Sequence, residues 1–256
     1  MDLQFLGGSG AGSGRKKGGG TTSASFEATD DGPFRQMTDN EENVYFNKQT
    51  FSQQQQEAID RYIDPNIEPW SLYSFSQNMN QAYMNGLPLT QIQKDTLDML
   101  VSAMHNIGYN AELTRYDHAN SVQILMKHAG ITGSAANISV KKLQGLIGQT
   151  FTEKRILSTS VNSFKNAKDP SAFTTRQYKY TIRAKASTQG FMPGISKIPY
   201  KYAGTSTGDN FGEMLLSPSN TYKVVEIKYS GAKARPKGMP KTYLTKKQIE
   251  IVLEVV

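Results

Sequence analysis

A change of hydrophobic periodicity at about Phe151 divides the chain into two parts with different folding tendencies. Before this residue, apolar side chains recur at helical spacing behind Ser or Thr helix-start signals. After it, runs rich in Ile, Val, Tyr and Thr are separated by clusters of Gly, Pro, Asn and Ser. Helical patterns first and strand patterns later favour an α+β domain over an alternating parallel sheet.

The patterns also give approximate positions for the elements. Predicted helices follow the Ser52 capping signal and then cover 72–84, the stretch from Thr90 to a stop at Gly108, 121–128 and 140–147. Predicted strands cover 112–117, 155–160, 177–186, 211–216, 222–229 and 248–256.

The first 48 residues differ in composition from the rest of the chain. Eight of the 22 glycines lie in the first 20 residues, and Gly7–Gly20 reads GGSGAGSGRKKGGG. Glycine and serine bury too little area to offset the entropy of ordering, so this composition is typical of a flexible coil. We therefore expect residues 1–48 to form a flexible tail, onto which Tyr45 and other aromatic side chains could dock, and residues 49–256 to form one domain.

Composition excludes several kinds of chemistry. The chain of 256 residues contains no cysteine and three histidines, which excludes disulfide scaffolds, thiolate zinc sites and cysteine nucleophiles, and leaves little room for a His-rich metal site. We expect no metal. No apolar stretch approaches the ~18 residues of a membrane span, and the N-terminus lacks a secretory signal pattern. The expected compartment is the reducing cytosol.

Charge divides at the same boundary as composition. Residues 1–48 carry a net charge of −2, whereas the remaining 24 basic and 15 acidic residues give the body +9. A basic body favours acidic protein or nucleic-acid partners through long-range attraction, and a solvated lysine-rich face is the equally simple interpretation.

Three short segments carry candidate chemistry. ELTRYD places Arg115 on a predicted strand, where an exposed edge position is the simpler interpretation. RILSTSVN ends a strand with Ser158, Thr159 and Ser160, whose hydroxyls can fix a sugar or a carboxylate. DNFGEMLL places Glu213 at the mouth of a buried strand after a turn-forming loop, either as a catalytic carboxylate or as a water-facing strand start.

In this order, Arg, Ser-Thr-Ser and Glu resemble the ADP-ribosyltransferase superfamily, in the subfamily of the actin-modifying binary toxins and the Rho-modifying exoenzymes. The resemblance extends through KKLQGLIGQTFTEKRILSTS and GEMLLSPSNTYKVV and covers roughly residues 49–256. It implies N-terminal helices packed on a two-sheet β-sandwich core. It also implies an enzyme that breaks the nicotinamide–ribose bond of NAD and transfers ADP-ribose to a protein or nucleic-acid acceptor.

The resemblance also implies roles for particular residues. Arg115 would pair with the NAD phosphates, Glu213 would stabilise the oxocarbenium-like sugar, and Ser158 would orient Glu213 and the nicotinamide ribose. The backbone at Tyr116 would hold the nicotinamide amide. The cofactor-binding set is completed by Thr159 and Ser160 and by residues of the following loop: Phe164 and Phe173 as stacking rings, with Lys165, Lys168 and Arg176 as phosphate partners.

One position departs from the family pattern. Members of the family often carry Glu or Gln two residues before the catalytic Glu, and this chain has Phe211 there. Phenylalanine cannot accept a proton from the acceptor. Either the acceptor is intrinsically nucleophilic, or Asp209 reaches the site, or the protein mainly hydrolyses NAD.

Two other classes of function stay open. The N-terminus MDLQFLGG, with the Gly/Ser-rich and basic residues that follow, resembles head-associated proteins of tailed phages of Gram-positive bacteria. This resemblance suggests a phage-encoded, virion-associated protein in a bacterial host cell, and a non-catalytic phage structural or binding module that keeps the fold is the alternative. The basic C-terminal third, with Tyr222, Tyr229 and Tyr243 interleaved, would also suit a nucleic-acid-binding protein.

Overall fold

The computed structural model describes residues 32–64, 74–164, 174–193, 212–234 and 246–256. Its helices are α1 (Asp39–Lys48), α2 (Gln53–Ile63), α3 (Phe75–Asn85), α4 (Gln91–Ser102), α5 (Ala119–His128) and α6 (Val140–Leu143), the last followed by a 3₁₀ turn, Gln144–Leu146. Its strands are β1 (His105–Asn106), β2 (Ala111–Asp117), β3 (Thr150–Thr152), β4 (Leu157–Ser160), β5 (Tyr178–Ala184), β6 (Gln189–Phe191), β7 (Glu213–Leu216), β8 (Thr221–Ala234) and β9 (Lys246–Val255). None of the helices described is long and apolar enough to cross a membrane.

The first four helices all begin with the same local motif, a capping box. Each starts at a Ser or Thr that is followed three residues later by Glu or Gln, and the side chain of that later residue accepts a hydrogen bond from the backbone N–H of the first. This reciprocal arrangement satisfies backbone donors that have no partner within the helix. It explains why the Ser52 and Thr90 signals predict the starts of α2 and α4 correctly.

The nine strands follow the order β1-β6-β7-β4-β2-β5-β9-β8-β3. Most neighbours pair over several residues, but β2 and β4 pair at one register position, Thr114 opposite Ser160. This single contact joins a smaller half, β1-β6-β7-β4, to a larger half, β2-β5-β9-β8-β3. The β2–β4 contact is therefore the corner at which one half of the sheet turns onto the other.

The two halves pack face to face. One buried cluster unites Leu113 and Ile182 of the larger half with Leu157 and Met214 of the smaller half. A second buried cluster joins side chains of α2, α3 and α4 to Leu215 and to its neighbour in β6. The expected arrangement of N-terminal helices on a two-layer β core is confirmed, with the two layers connected at the corner into one hydrogen-bonded sheet.

The first helix changes the domain boundary that composition predicts. Residues 32–48 are not a tail: α1 lies within this segment, and Met37, Glu42 and Tyr45 are buried in the body of the protein. Arg35 forms an isolated parallel bridge with Ala111 at the start of β2. A few apolar contacts and backbone hydrogen bonds offset a polar composition here, whereas residues 1–31 lie outside the described part.

The remaining differences are at element ends and in short strands. The third predicted helix, α4, ends at Ser102, before the Gly108 stop signal, and β1 begins at His105. The hairpin strand β8 extends to Ala234, beyond the predicted 222–229. The strands β1, β3 and β6, of two or three residues each, were not predicted, because so short a segment shows no periodicity.

The buried Met37 side chain provides a test of the new boundary. It is 5% exposed in the main core, so we expect Met37→Ala to lower the free energy of unfolding in urea. The expected loss is about 2–5 kcal/mol, the usual cost of truncating a buried methionine. Phe46→Ala in the same segment, at a side chain that is 40% exposed, is the matched control. Equal and small losses for both variants would show that the segment does not pack as described.

Candidate active site

The centre of the candidate site is a hydrogen bond between two adjacent strands. The antiparallel register sets Ser158 opposite Leu215 and Ser160 opposite Glu213, so Ser158 and Glu213 are diagonal neighbours on one face. The Ser158 hydroxyl donates to Oε1 of Glu213. Of the three predicted catalytic residues, these two are therefore in direct contact.

The surroundings of Glu213 set its acidity. Burial raises the pKa of Glu213 to about 7, while the hydrogen bond from Ser158 and the charge of Arg115 act in the opposite direction. A carboxyl with such a pKa changes its charge near neutral pH. Perturbed carboxyls of this kind are concentrated at functional sites.

Arg115 is buried rather than exposed at a strand edge. Its side chain is 3% exposed, its Nε donates to Asp117 Oδ2 at 3.0 Å, and its Nη1 donates to the backbone oxygen of Ser158 at 2.8 Å. Its Nη2 is buried without a hydrogen-bond partner. A guanidinium fixed on two sides, with one buried donor unused, is preorganised to bind an oxyanion.

Further charges surround this arginine. Burial alone would raise the pKa of Asp117, but Arg115, Arg155 and Arg176 outweigh it, and the pKa is lowered. Arg155 forms a second ion pair, with Glu153, at 2.6 Å. Three guanidiniums and two carboxylates leave this buried cluster with an excess of positive charge. The sequence motifs contained Asp117 and Arg155, but motif comparison gave them no role.

Arg115 also borders a cavity of about 590 Å³. The polar lining of the cavity includes Arg115, Asp117, Glu153 and Arg155 of the charged cluster, and its apolar lining includes Leu157, Ile182 and Leu253. Glu213 and Ser158 do not line this cavity. Arg115 therefore connects the two regions, because it lines the cavity and also donates to the backbone of Ser158.

Two helices bring further polar groups towards Glu213. Tyr62 of α2 is hydrogen-bonded to Asn80 of α3, and burial raises the pKa of Tyr62 to about 12, with the Glu213 charge acting in the same direction. Both side chains are buried. The sequence shows a tyrosine and an Asn-rich stretch in these helices, but a tertiary contact was needed to bring them to the site.

The rest of the Ser-Thr-Ser segment has structural partners. Thr159 is fully buried on the opposite face of β4 from Ser158, and its hydroxyl donates to the Met214 carbonyl at 2.9 Å. The prediction that Thr159 contacts the cofactor is therefore corrected: strand alternation turns it away from Glu213. The Ser160 hydroxyl donates to Asn162 Oδ1 and accepts from the Phe164 N–H, which shapes the following loop.

The other predicted cofactor-binding residues that the structure describes lie on β2 or contact it. The Tyr116 ring packs against the fully buried Phe164 at 5.5 Å between centroids. Arg176 is buried and donates to the Tyr116 carbonyl at 3.0 Å. In this structure Phe164 and Arg176 support β2, and their proposed contacts with NAD stay predictions.

The remaining predicted residues lie outside the described part of the chain: Lys165, Lys168, Phe173, Asp209 and Phe211. Within the described ranges, no group of three or more His, Asp or Glu side chains is arranged to hold a metal ion.

The raised pKa of Glu213 has a consequence for stability. The pKa is about 7 in the folded protein against an ordinary 4.5, so between these pH values the folded state retains a proton that the unfolded chain loses. Stability therefore falls as pH rises through this window. We expect Glu213→Gln to raise the melting temperature relative to the wild type at pH 8, with the difference shrinking towards pH 4.5.

The matched control for this measurement should change the melting temperature in the opposite direction. A hydrogen bond with Arg35 lowers the pKa of Glu41 to about 2, so Glu41→Gln should lower the melting temperature at pH 8. A shift for Glu213→Gln that is the same at every pH would contradict the assignment.

Comparison with known proteins identifies the fold. No protein-family model matches the sequence, and no curated protein matches it. Among solved structures, a C3-type ADP-ribosyltransferase from Clostridium botulinum superposes with a TM-score of 0.56 at 20% identity, covering 88% of this chain and 99% of that one. C3stau2 from S. aureus, solved with NAD, gives 0.56 at 16% identity, covering 88% and 99%.

The enzymatic component C2-I of the C2 toxin from Clostridium botulinum is also similar. It gives a TM-score of 0.54 at 16% identity, covering 84% of this chain and 46% of that one. The chain therefore has the fold of the ADP-ribosyltransferase superfamily.

Proposed function

We propose that the protein is a mono-ADP-ribosyltransferase, which cleaves NAD at the nicotinamide–ribose bond and transfers ADP-ribose to a macromolecular acceptor. The observation that carries the proposal is the contact of Ser158 with Glu213, beside the buried Arg115, within an ADP-ribosyltransferase fold. The fold is shared with proteins of this activity, which supports the proposal, and these side chains would supply the groups that the reaction needs.

The chemistry assigned to Glu213 follows from charge. When the C–N bond breaks, nicotinamide leaves with the bonding electron pair and positive charge develops at C1′ of the ribose. An ionised carboxylate beside C1′ stabilises that charge and accepts hydrogen bonds from the ribose hydroxyls. Ser158 holds one carboxylate oxygen and so fixes its direction.

In this proposal Arg115 binds the pyrophosphate of NAD. Its unused Nη2 donor and the surplus positive charge of the buried cluster suit a phosphate oxygen. The adjoining cavity, with its mixed polar and apolar lining, would receive the adenosine end. In this arrangement NAD extends from Glu213, past Arg115, into the cavity.

The transfer step needs a nucleophile from the acceptor. Its lone pair forms the new bond to C1′ on the face opposite the departing nicotinamide, and its proton passes to solvent or to a base. Phe211 stands where Glu or Gln is usual in the family, which favours NAD hydrolysis as the second candidate function. In that reaction water replaces the macromolecular acceptor.

The catalytic pair is tested by nicotinamide release. We expect Glu213→Gln to reduce kcat by about 10²–10³-fold, the usual cost of removing one group that stabilises charge in the transition state. Ser158→Ala should cost less, because the carboxylate remains but loses its orienting bond. Wild-type activity should rise with pH through about 7, as Glu213 ionises.

Two outcomes would contradict this proposal. Equal turnover by the wild type and Glu213→Gln would remove Glu213 from the mechanism, and no nicotinamide release by the wild type would favour the non-catalytic module. Labelled NAD with lysate then separates the two reactions, because transfer labels a macromolecule and hydrolysis yields free ADP-ribose. Nucleic acid and protein fractions are counted separately to identify the class of acceptor.

Arg115 is tested by a substitution that keeps its charge. A lysine at this position would lack the planar fork, so we expect Arg115→Lys to weaken NAD binding about 10–100-fold in calorimetry, the range for losing a hydrogen bond to a charged group. The melting temperature of the variant without NAD controls for the lost bonds to Asp117 and Ser158. Unchanged NAD affinity in a folded variant would contradict the assignment.

A further inference from the structure

The loop after β4 has an unusual backbone. In Val161–Phe164, hereafter the β4 loop, Ser163 and Phe164 have φ values of 55° and 64°. Two consecutive non-glycine residues in the left-handed region are costly, and such strain persists only where the surroundings enforce it. Contacts with neighbouring side chains must therefore hold the backbone of the β4 loop in this conformation.

Asn162 makes two of the hydrogen bonds that hold the β4 loop in place. Its Oδ1 accepts from the Ser160 hydroxyl at 3.0 Å, and its Nδ2 donates to Glu42 Oε2 at 3.1 Å. Asn162 is 2% exposed and Glu42 is 4% exposed. Burying a carboxylate costs free energy unless its hydrogen bonds are satisfied, so a contact of this kind holds both partners closely.

The same asparagine packs against the residue before Glu213. The Val161 N–H donates to the Gly212 carbonyl at 2.9 Å. Gly212 has φ +61°, and a Cβ added to it would lie 2.7 Å from Val161 Cγ2 and 2.9 Å from Asn162 Nδ2. Position 212 therefore requires glycine, and the β4 loop defines the entry of the chain into Glu213.

The segment before α1 also forms hydrogen bonds with the β4 loop. The Met37 N–H donates to the Val161 carbonyl at 3.0 Å, and the Gln36 amide donates to the Ser163 hydroxyl. The N-terminal part of the chain thus holds the β4 loop at its backbone, at Ser163 and, through Glu42, at Asn162.

We propose that Glu42 and Asn162 are a positioning pair for the candidate catalytic carboxylate. Their buried hydrogen bond holds the β4 loop against Gly212, and so aims Glu213 at Ser158. Neither side chain is assigned a contact with the substrate, so both act through Glu213. The kinetic consequence rests on the proposed NAD cleavage, whereas the structural consequence does not.

The kinetic test compares neighbouring carboxylates of one helix. We expect Glu42→Ala and Asn162→Ala each to lower kcat for nicotinamide release about 10–100-fold, as a small misplacement of a reacting group does, with KM for NAD nearly unchanged. Glu42→Gln keeps an oxygen that can accept from Asn162 and should retain most of the rate. Glu41→Gln, which loses the exposed ion pair with Arg35, should leave kcat unchanged.

A double-mutant cycle separates positioning from general destabilisation. If the two residues act as one unit, Glu42→Ala/Asn162→Ala should turn over no more slowly than the slower single variant. The proposal would be overturned if the effects of the two substitutions multiplied in the double variant. It would also be overturned if Glu42→Ala and Asn162→Ala kept the same kcat as Glu41→Gln at equal melting temperature.

A second readout needs no turnover. In wild-type protein with ¹³C-labelled glutamate, the Glu213 carboxyl resonance, assigned by its loss in Glu213→Gln, should titrate with a midpoint near the pKa of about 7. In Asn162→Ala the midpoint should fall towards the ordinary 4.5 as the carboxyl gains access to water, while in Glu41→Gln it should not move. An unchanged midpoint in Asn162→Ala would refute the positioning role. Absent turnover in the wild type with the expected midpoints would refute only the proposed function.

Discussion

A ladder of four residue pairs, Leu157–Ser160 against Glu213–Leu216, holds together the two strands that carry the candidate residues Ser158 and Glu213. Its register decides which side chains share a face. Ser158 lies beside Glu213, and a shift of one residue would replace Ser158 with a neighbour pointing to the other side of the sheet. The acidity of Glu213, its contact with Ser158 and its exposure to the charge of Arg115 all depend on this alignment.

Around the ladder, the protein buries charge that a purely structural core would avoid. Arg115 and Asp117 are each 3% exposed in their side chains, and removing two charges from water costs several kcal/mol per ion before their attraction is counted. The guanidinium is held at two of its nitrogens, its Nη2 has no hydrogen-bond partner, and a cavity adjoins it; the proposed contact with the pyrophosphate of NAD rests on these three observations.

The N-terminal segment shows how poorly composition alone predicts order. Its residues are mostly polar and its first helix is only weakly amphipathic, but Met37 and Tyr45 insert into the main core and Glu42 reaches Asn162. The decisive contacts are few and non-local, with Glu42 lying 120 residues before Asn162 in the chain. Local patterns carry no information about contacts at such a separation.

Local signals in the sequence predicted helical segments followed by strand segments and the starts of α2 and α4, but they missed α1, β1, β3 and β6. Capping and periodicity predict such segments and helix starts because each acts over a few residues. The grouping of Arg115, Ser158 and Glu213 as one set came from the resemblance to the ADP-ribosyltransferase superfamily. Which side chains of the motifs meet depended instead on the packed fold. Strand alternation turned Thr159 into the core and burial raised the pKa of Glu213. Contacts between distant segments brought Tyr62 near Glu213 and Glu42 to Asn162. Those outcomes depend on the register and folding of one sheet around its corner, a property of the packed molecule that no single segment encodes.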